Sequence, residues 1–463
     1  MMNNIIDFTD PNKKIYELLG TKADKYIPQG KLGFSVEPCL PNTPFALLGL
    51  AEMVGTNIKD HENYGNYIHT NGSIVCHMPR MWYRIGHVDS PRYTTYGANA
   101  IDTLPLTAFA DEAAANLSGY ALHRSFIDGG EVKNGFFIDK YKASKSQTDT
   151  NLAVSVKNGV PISLTTDTNY TRSQGMTGCI GQLLDAVTLS RARGEGWNAT
   201  TAFMRAWLLL TSIAQAQATT NTTDCAWYDA TGVKNYPKGC NNGSLADAND
   251  ATVIYTTAGD AGSAGKPKTG SANNLAKTTH NGSLNGVVDV NGGMWEADIG
   301  ITNYGTSATA SAQILDDSIY VLKHSVAIKN LTGDWDTENS IWGDAANLAN
   351  KYDIVTAPLP IGSTAGAWVY WGNGTNAVLD NANNGQGRDL CGVFPKNQNS
   401  VLSSGGSNLF GNDGIYKDNK QNMFLLSCGA WLDGGNAGPS ARSFSVYRTY
   451  SSYYTGFRAG AYV

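Results

Sequence analysis

Charged side chains are scarce. Asp, Glu, Lys and Arg together make up 16% of the 463 residues, against roughly a quarter in a typical soluble globular protein. The formal net charge is −5 and the isoelectric point about 5.8, so no basic footprint points to nucleic acid or to an anionic membrane surface. The seven cysteines (Cys39, Cys76, Cys179, Cys225, Cys240, Cys391, Cys428) include no C-x-x-C pair. Their irregular spacing argues against zinc and against a disulfide framework. Seven free, mostly buried thiols are expected, with a Cys225–Cys240 bridge across a Gly/Asn-rich loop as the one alternative. There is no H-E-x-x-H, no G-x-S-x-G elbow, no Walker A and no G-x-G-x-x-G after a strand, which removes the common hydrolase and nucleotide-binding signatures. No apolar run reaches the ~18 residues of a membrane span, and Ala202 to Ala216, the best candidate, is interrupted by Arg205 and Gln215. The opening MMNNIIDFTDPNKK has neither the basic start nor the apolar core of a secretory signal. The expectation is a protein neither inserted in a membrane nor exported by that route.

What fills the space is 51 glycines, 23 tyrosines and many Asn, Ser and Thr, with 41% hydrophobic residues. That is enough to bury a core and rules out wholesale disorder. The profile suits a loop-rich, particle-bound or extracellular protein. Residues 1–64, broken by Pro38, Pro41 and Pro44, read as an N-terminal attachment or oligomerisation segment, with a short helix over Phe45 to Val54. SIVCHMPRMWYRIG reads as an edge strand or two short strands split at Pro79. A turn at Asp128-Gly129-Gly130 and a strand from Gly135 to Tyr141 come next. Helices are predicted over Cys179–Arg193 and over Thr200–Ala216, the second capped by Asn198 or Thr200. Residues 65–463 are expected to form one domain with insertions at about 218–290 and 300–376. Within the first insertion, the low-complexity stretch from Asp250 to Asn274 reads as an exposed excursion.

Three separated pieces carry a pattern. In Gly135-Phe136-Phe137-Ile138-Asp139-Lys140-Tyr141, strand alternation places Phe137 and Tyr141 on one face and leaves Asp139 for an Arg or a distant backbone group. In Asn291-Gly292-Gly293-Met294-Trp295-Glu296, a glycine turn aims Trp295 inward as a core anchor. In Gly456-Phe457-Arg458, the arginine is a candidate for a buried ion pair. Glu296 and Asp298 are read as structural hydrogen-bonding groups or as ligands of one structural Ca2+, ahead of an acid–base pair. No other cofactor is expected.

The order of these pieces resembles the C-type lectin fold in its formylglycine-generating-enzyme-like form. There, an early "f.idkyEVT" strand, a "gNVWEW" turn and a closing "GFR" segment frame one domain. PRMWYRIG and ALHRSFIDGGEVKNGFFIDKYKAS also resemble phage tail-fibre and virion proteins of this fold. The resemblance implies an α+β, C-type-lectin-like domain with Asp139, Tyr141, Trp295, Glu296, Phe457 and Arg458 as its structural frame. The formylglycine-generating enzymes carry a copper-binding cysteine pair just before the final GFR. Between Trp431 and Val463 this chain has no cysteine, and Cys428 stands alone. The expectation is therefore no enzyme, with a formylglycine-generating-type oxidase as the lesser alternative.

That closing segment instead resembles the variable region of proteins diversified by phage retroelements. Phe444 and Val446 alternate with Ser443, Ser445 and Tyr447, as on a strand with one buried and one wet face. Tyr/Ser mixtures suit binding surfaces, because Tyr gives amphipathic area at low entropy cost and Ser adapts its hydrogen bonds. The expected receptor-binding residues are Trp431, Asp433, Asn436, Ser440, Ser443, Ser445, Tyr447, Thr449, Tyr450, Ser451, Ser452, Tyr453 and Tyr454. The resemblance implies a virion protein made in the host cytoplasm, a tail-fibre or tail-tip component that binds a host-surface protein or glycan. It would contact other tail proteins through residues 1–64 and form a homo-oligomer, a trimer first. The rival reading is a structural virion part, a baseplate or capsid-decoration component, with the Tyr/Ser face buried against neighbours.

Overall fold

The computed structural model describes residues 26–228, 238–302, 319–331, 348–355, 367–371, 379, 389–395, 410, 413–417 and 423–463. Twelve strands make two six-stranded sheets. In chain order they are β1 (Leu50–Glu52), β2 (Asn66–His69), β3 (Ile74–Pro79), β4 (Gly135–Asp139), β5 (Trp197–Ala199), β6 (Trp295–Asp298), β7 (Ala367–Tyr370), β8 (Gly414–Lys417), β9 (Met423–Ser427), β10 (Arg442–Tyr447), β11 (Thr455–Gly456) and β12 (Ala459–Tyr462). The first sheet runs β1-β2-β3-β4-β12-β5 and is antiparallel throughout. The second runs β7-β8-β10-β9-β6-β11, with parallel pairs at β8/β10 and β6/β11. Smaller sheets and short helices fill in around them, a mixed, sheet-rich α+β architecture.

Two helices pack against this framework. The first, α1 (Asp185–Arg191), is shorter than the predicted Cys179–Arg193. Asp185 explains the late start, since its carboxylate accepts from the amides of Ile180, Gly181 and Gln182 and holds those residues in a turn. The second, α2 (Ala202–Ala218), is buried along nearly its whole length, as an almost uniformly apolar helix must be. Its cap is Thr201 rather than Asn198 or Thr200: the Thr201 hydroxyl accepts from the Met204 amide at 3.1 Å. The helix reaches both sheets, with Met204 against Gly460 of β12 and Arg205 against Glu296 of β6.

The boundary expected at residue 64 falls inside a hydrogen-bonded sheet. β1 pairs with β2, and Ile27, Phe34 and Val36 are buried in the main core. Residues 26–64 are therefore integral to the body, and residues 1–25 lie outside the described residues. The helix expected over Phe45–Val54 is one 3-10 turn, Phe45–Leu48, ended by Gly49 at φ +72°, before the chain extends into β1. The run around Pro79 does split into two strands, β3 and Met81–Ile85, which enter different sheets. The Asp128-Gly129-Gly130 turn is a two-residue hairpin with both glycines at positive φ, +64° and +78°, the conformation a type I′ turn requires.

The stretch from Asp250 to Asn274 is exposed over much of its length, at Thr256, Thr257, Gly259, Ala261, Gly262 and Ala264 among others, but it is anchored to the body at several points. Val253, Tyr255 and Ala272 are buried with Cys240, Met294 and Trp431. The ammonium of Lys266 is sealed in, donating to the Pro161 carbonyl at 2.8 Å and to Asp260 at 2.5 Å. Much of the 300–376 insertion lies outside the described residues. Cys225 and Cys240 are buried in different clusters and form no disulfide with each other. No helix among the described residues is long and apolar enough to cross a membrane.

Candidate functional site: two faces of the second sheet

The three sequence pieces meet in space. Only Phe457 and Arg458 separate β11 of the second sheet from β12 of the first, and both are fully buried. Arg458 donates Nε to Glu296 Oε2 at 2.7 Å and Nη1 to the carbonyls of Asp139 and Lys140 at 3.1 and 2.8 Å. It thereby staples one sheet to the other. Asp139 is held bidentately by Arg193 at 2.5 and 2.8 Å and accepts from the Ala459 amide at 2.9 Å. Tyr141 departs from expectation. The strand ends at Asp139, and Tyr141 packs with Leu275 and Val288, in a different cluster from Phe137.

Glu296 sits among three cations, Arg205, Arg458 and Lys142. Burial alone would raise its carboxyl, but these cations outweigh that and hold it below the usual carboxylate range. Asp298 accepts from Arg205 at 3.0 Å, Thr200 at 2.7 Å and Ser427 at 2.5 Å. Burial is the larger influence on Asp298 and pushes its carboxyl up. Each carboxylate oxygen of the pair has at least one protein donor, and the three cations around Glu296 repel a further cation such as Ca2+.

The opposite face of the same sheet is built differently. Strand register lines up Trp368 with Tyr416, Tyr416 with Ser443, Ser443 with Leu426, and Leu426 with Ala297, one residue from each of five adjacent strands. Residues directly opposite share a face. The neighbouring row, Ile415, Arg442, Ser427 and Glu296, points the other way and is fully buried. In the outward row a small serine stands between large side chains, which leaves a cavity of about 280 Å³. Ser443 and Ser445 lie in it, with their hydroxyls bonded to each other at 2.8 Å. Trp368 meets Tyr416 at 5.4 Å and 62°, and Trp295 lies 6.3 Å from Trp368 at 22°. Tyr454, Leu432 and Asp433 complete the rim.

Asp433 accepts from the Ala430 amide at 2.7 Å. Burial pushes its carboxyl up to about 6, opposed by the Ala430 amide and the Trp295 indole. Among the described residues lining the cavity there is no Lys, Arg or His.

Of the residues expected to bind a receptor, Asp433, Ser443, Ser445 and Tyr454 line this cavity. Tyr447, Thr449, Tyr450 and Ser451 lie beyond it, half-buried or exposed, with Tyr447 and Tyr450 in edge contact at 5.5 Å. Tyr453 stacks on Tyr170 at 4.8 Å and touches Trp431 and Tyr454. Asn436 is half-buried in the turn after Asp433 and donates its amide to the Asp433 carbonyl.

Three expected contact residues are interior instead. Trp431 is buried in the cluster around Cys240 and Met294. Ser440 gives both its amide and its hydroxyl to buried Asp413. Ser452 bonds Thr455 at 2.6 Å and pairs with Leu164. Each satisfies a buried polar or apolar demand that a sequence pattern does not display. Ser443 is also buried, but as part of the cavity floor.

Trp295 needs the converse correction. It is buried, yet one side of it forms cavity wall, so it is more than a core anchor. Sequence reasoning misses Trp368, Tyr416, Leu426 and Leu432. Alternation in Ala367-Trp368-Val369-Tyr370 is the available signal for the first. Nothing local announces that β8 runs parallel beside β10.

No protein-family model matches the chain, and no curated protein matches it. Among solved structures, the "Major Tropism Determinant U1 Variant" is similar at 10% identity, covering 88% of this chain and 85% of that one, with a TM-score of 0.27. An overlap of that size does not place the chain in a fold family.

Proposed function

We propose that the chain is a non-enzymatic, host-surface-binding protein of a phage particle, built on a C-type-lectin-like frame, and that it binds through the groove on the outer face of the second sheet. The observation that carries the reading is the construction of that groove. The C-terminal Ser/Tyr segment supplies its floor and part of its rim, while Trp295 and Trp368 supply fixed walls. Pockets lined by aromatic side chains with a few placed polar groups are ordinary ligand sites. Convergence of Asp139, Glu296 and Arg458 on one buried network supports the frame implied by the motifs. Cys428 supports the non-catalytic reading: it is 3% exposed, and burial raises its thiol, the reverse of what a reactive cysteine needs. In this reading the chain works as an oligomer, and multivalent display raises a modest single-site affinity.

The test uses Ser445, which is half-exposed and lines the groove. In particles carrying the chain, Ser445→Trp should fill the groove and cut adsorption to host cells at least tenfold, with melting temperature and particle yield unchanged. Undiminished adsorption would overturn the assignment of the site. Loss of particle assembly would favour the structural-component reading. Diversification has its own check in the DNA: a near-copy of the 3′ coding end, differing mainly at adenines and lying beside a reverse transcriptase gene.

A further inference from the structure

Resting on that binding reading, we infer that the groove takes a quaternary ammonium group, a trimethylammonium headgroup of the choline type. Trp295, Trp368, Tyr416 and Tyr454 would serve as its aromatic walls and Asp433 as its counter-charge.

Charge comes first. Asp433 is the one ionisable carboxylate among the described lining residues, and no basic side chain stands beside it. Its carboxyl titrates at about 6, so at pH 7.5 the cavity is negative. An anionic sugar, phosphate or carboxylate would meet repulsion and, among the described lining residues, no cation. A cation meets attraction.

Wall geometry comes second. Trp368 stands at 62° to Tyr416 and at 22° to Trp295, so the lining rings lie in differently inclined planes, whereas a flat sugar ring is better served by a single platform. Ring faces carry the negative part of the aromatic quadrupole, and several of them around one cation make the aromatic cages that hold methylated ammonium groups.

Hydrogen-bonding capacity comes third and separates quaternary from primary ammonium. A primary ammonium brings three N–H donors that need acceptors once desolvated. Here Asp433 already accepts from the Ala430 amide and the Trp295 indole, and the acceptors left to three N–H donors are the neutral hydroxyl lone pairs of Ser443, Ser445 and the lining tyrosines. A trimethylammonium group has no N–H to satisfy, and its methyl groups fit against Leu426, Ala430 and Val446. A cavity of about 280 Å³ has room for it.

The experiment is calorimetric titration of the full chain at pH 7.5 with four probes: choline, its uncharged isostere 3,3-dimethyl-1-butanol, n-butylammonium and methyl glucoside. Choline should bind at least tenfold more tightly than each of the others. Asp433→Asn, which keeps an acceptor for the Ala430 amide, should weaken choline about tenfold and leave the alcohol unaffected. Equal binding of choline and the alcohol would overturn the inference, as would preference for butylammonium or the glucoside, or no binding of choline. Sedimentation with phosphatidylcholine vesicles would assign the headgroup to a lipid. Choline binding without sedimentation would assign it to a soluble or polymer-borne source. The underlying reading fails separately: if Ser445→Trp abolishes adsorption while choline does not bind, the site stands and only the ligand class is lost.

Discussion

The second sheet has two faces, and each carries a carboxylate from the β6 neighbourhood under opposite electrostatic rules. Below it, Glu296 is buried among Lys142, Arg205 and Arg458 and is held ionised by them. Above it, Asp433 has no described cation beside it, and burial pushes its carboxyl up to about 6. A carboxylate in the first setting holds the fold together. One in the second weakens the fold at neutral pH, because the Ala430 amide and the Trp295 indole only partly offset its desolvation. A charge without a balancing cation beside an open cavity is what a binding site has to keep and a scaffold has reason to remove.

The comparison breaks most visibly from below. Arg458→Ala removes the side chain that bonds Glu296 and spans β11 to β12, and it leaves Glu296 to Lys142 and Arg205. Breaking a buried ion pair by removing one partner costs roughly 3–5 kcal/mol. Chemical denaturation should show a loss of that order. A wild-type midpoint would mean that the two sheets are held by packing alone and that the ion network is incidental.

The rim gives the next effect. Tyr450 and Tyr454 pack against the main core, and Tyr453 is stacked on Tyr170 and touches Trp431. These rings belong to the site's support as well as to its surface, which a reading of the segment as simply exposed does not anticipate. Each aromatic pair is worth about 0.5–1.5 kcal/mol beyond its buried area. The triple change of Tyr450, Tyr453 and Tyr454 to Ser should therefore lower stability by roughly 2–4 kcal/mol as well as abolish adsorption. An unchanged melting curve would return all three to the role of free surface residues.

Legibility in the sequence depends on the range of each interaction. The hairpin at Gly129-Gly130, the helix around Trp207 and the alternation of Phe444 and Val446 with Ser445 and Tyr447 are local, and the sequence displays them. The frame residues Asp139, Glu296 and Arg458 can be named from their motifs, but not their shared network with Arg193, Arg205 and Lys142. Those partners come from elements brought together only by the fold. The groove is half legible. Its serines and Tyr454 stand in a visible pattern, whereas Trp368 and Tyr416 arrive through the β7-β8-β10 register. Ser440 and Ser452 look like surface serines, yet each answers a buried partner, Asp413 or Thr455. Composition cannot distinguish a hydroxyl facing water from one facing a buried acceptor.

The smallest effect gives the sharpest test of the two-face comparison, and its sign is unusual. Asp433 has a folded-state pKa of about 6 against an ordinary value of 3.8. Below pH 3.8 the carboxyl is neutral in both folded and unfolded chains, and it contributes no penalty. As pH rises through 6, the unfolded chain has already released its proton and the folded chain must ionise a desolvated group, so stability is lost. Asp433→Asn removes that penalty while retaining an acceptor for the Ala430 amide. The variant should be more stable than wild type by about 1–3 kcal/mol at pH 7.5, given roughly 1.4 kcal/mol per pKa unit, and should match it at pH 3.5. Greater stability together with weaker choline binding would show one carboxylate kept for its ligand at the fold's expense. A destabilised Asn variant at pH 7.5 would mean that the Ala430 turn depends on the full negative charge, and the contrast with Glu296 would collapse.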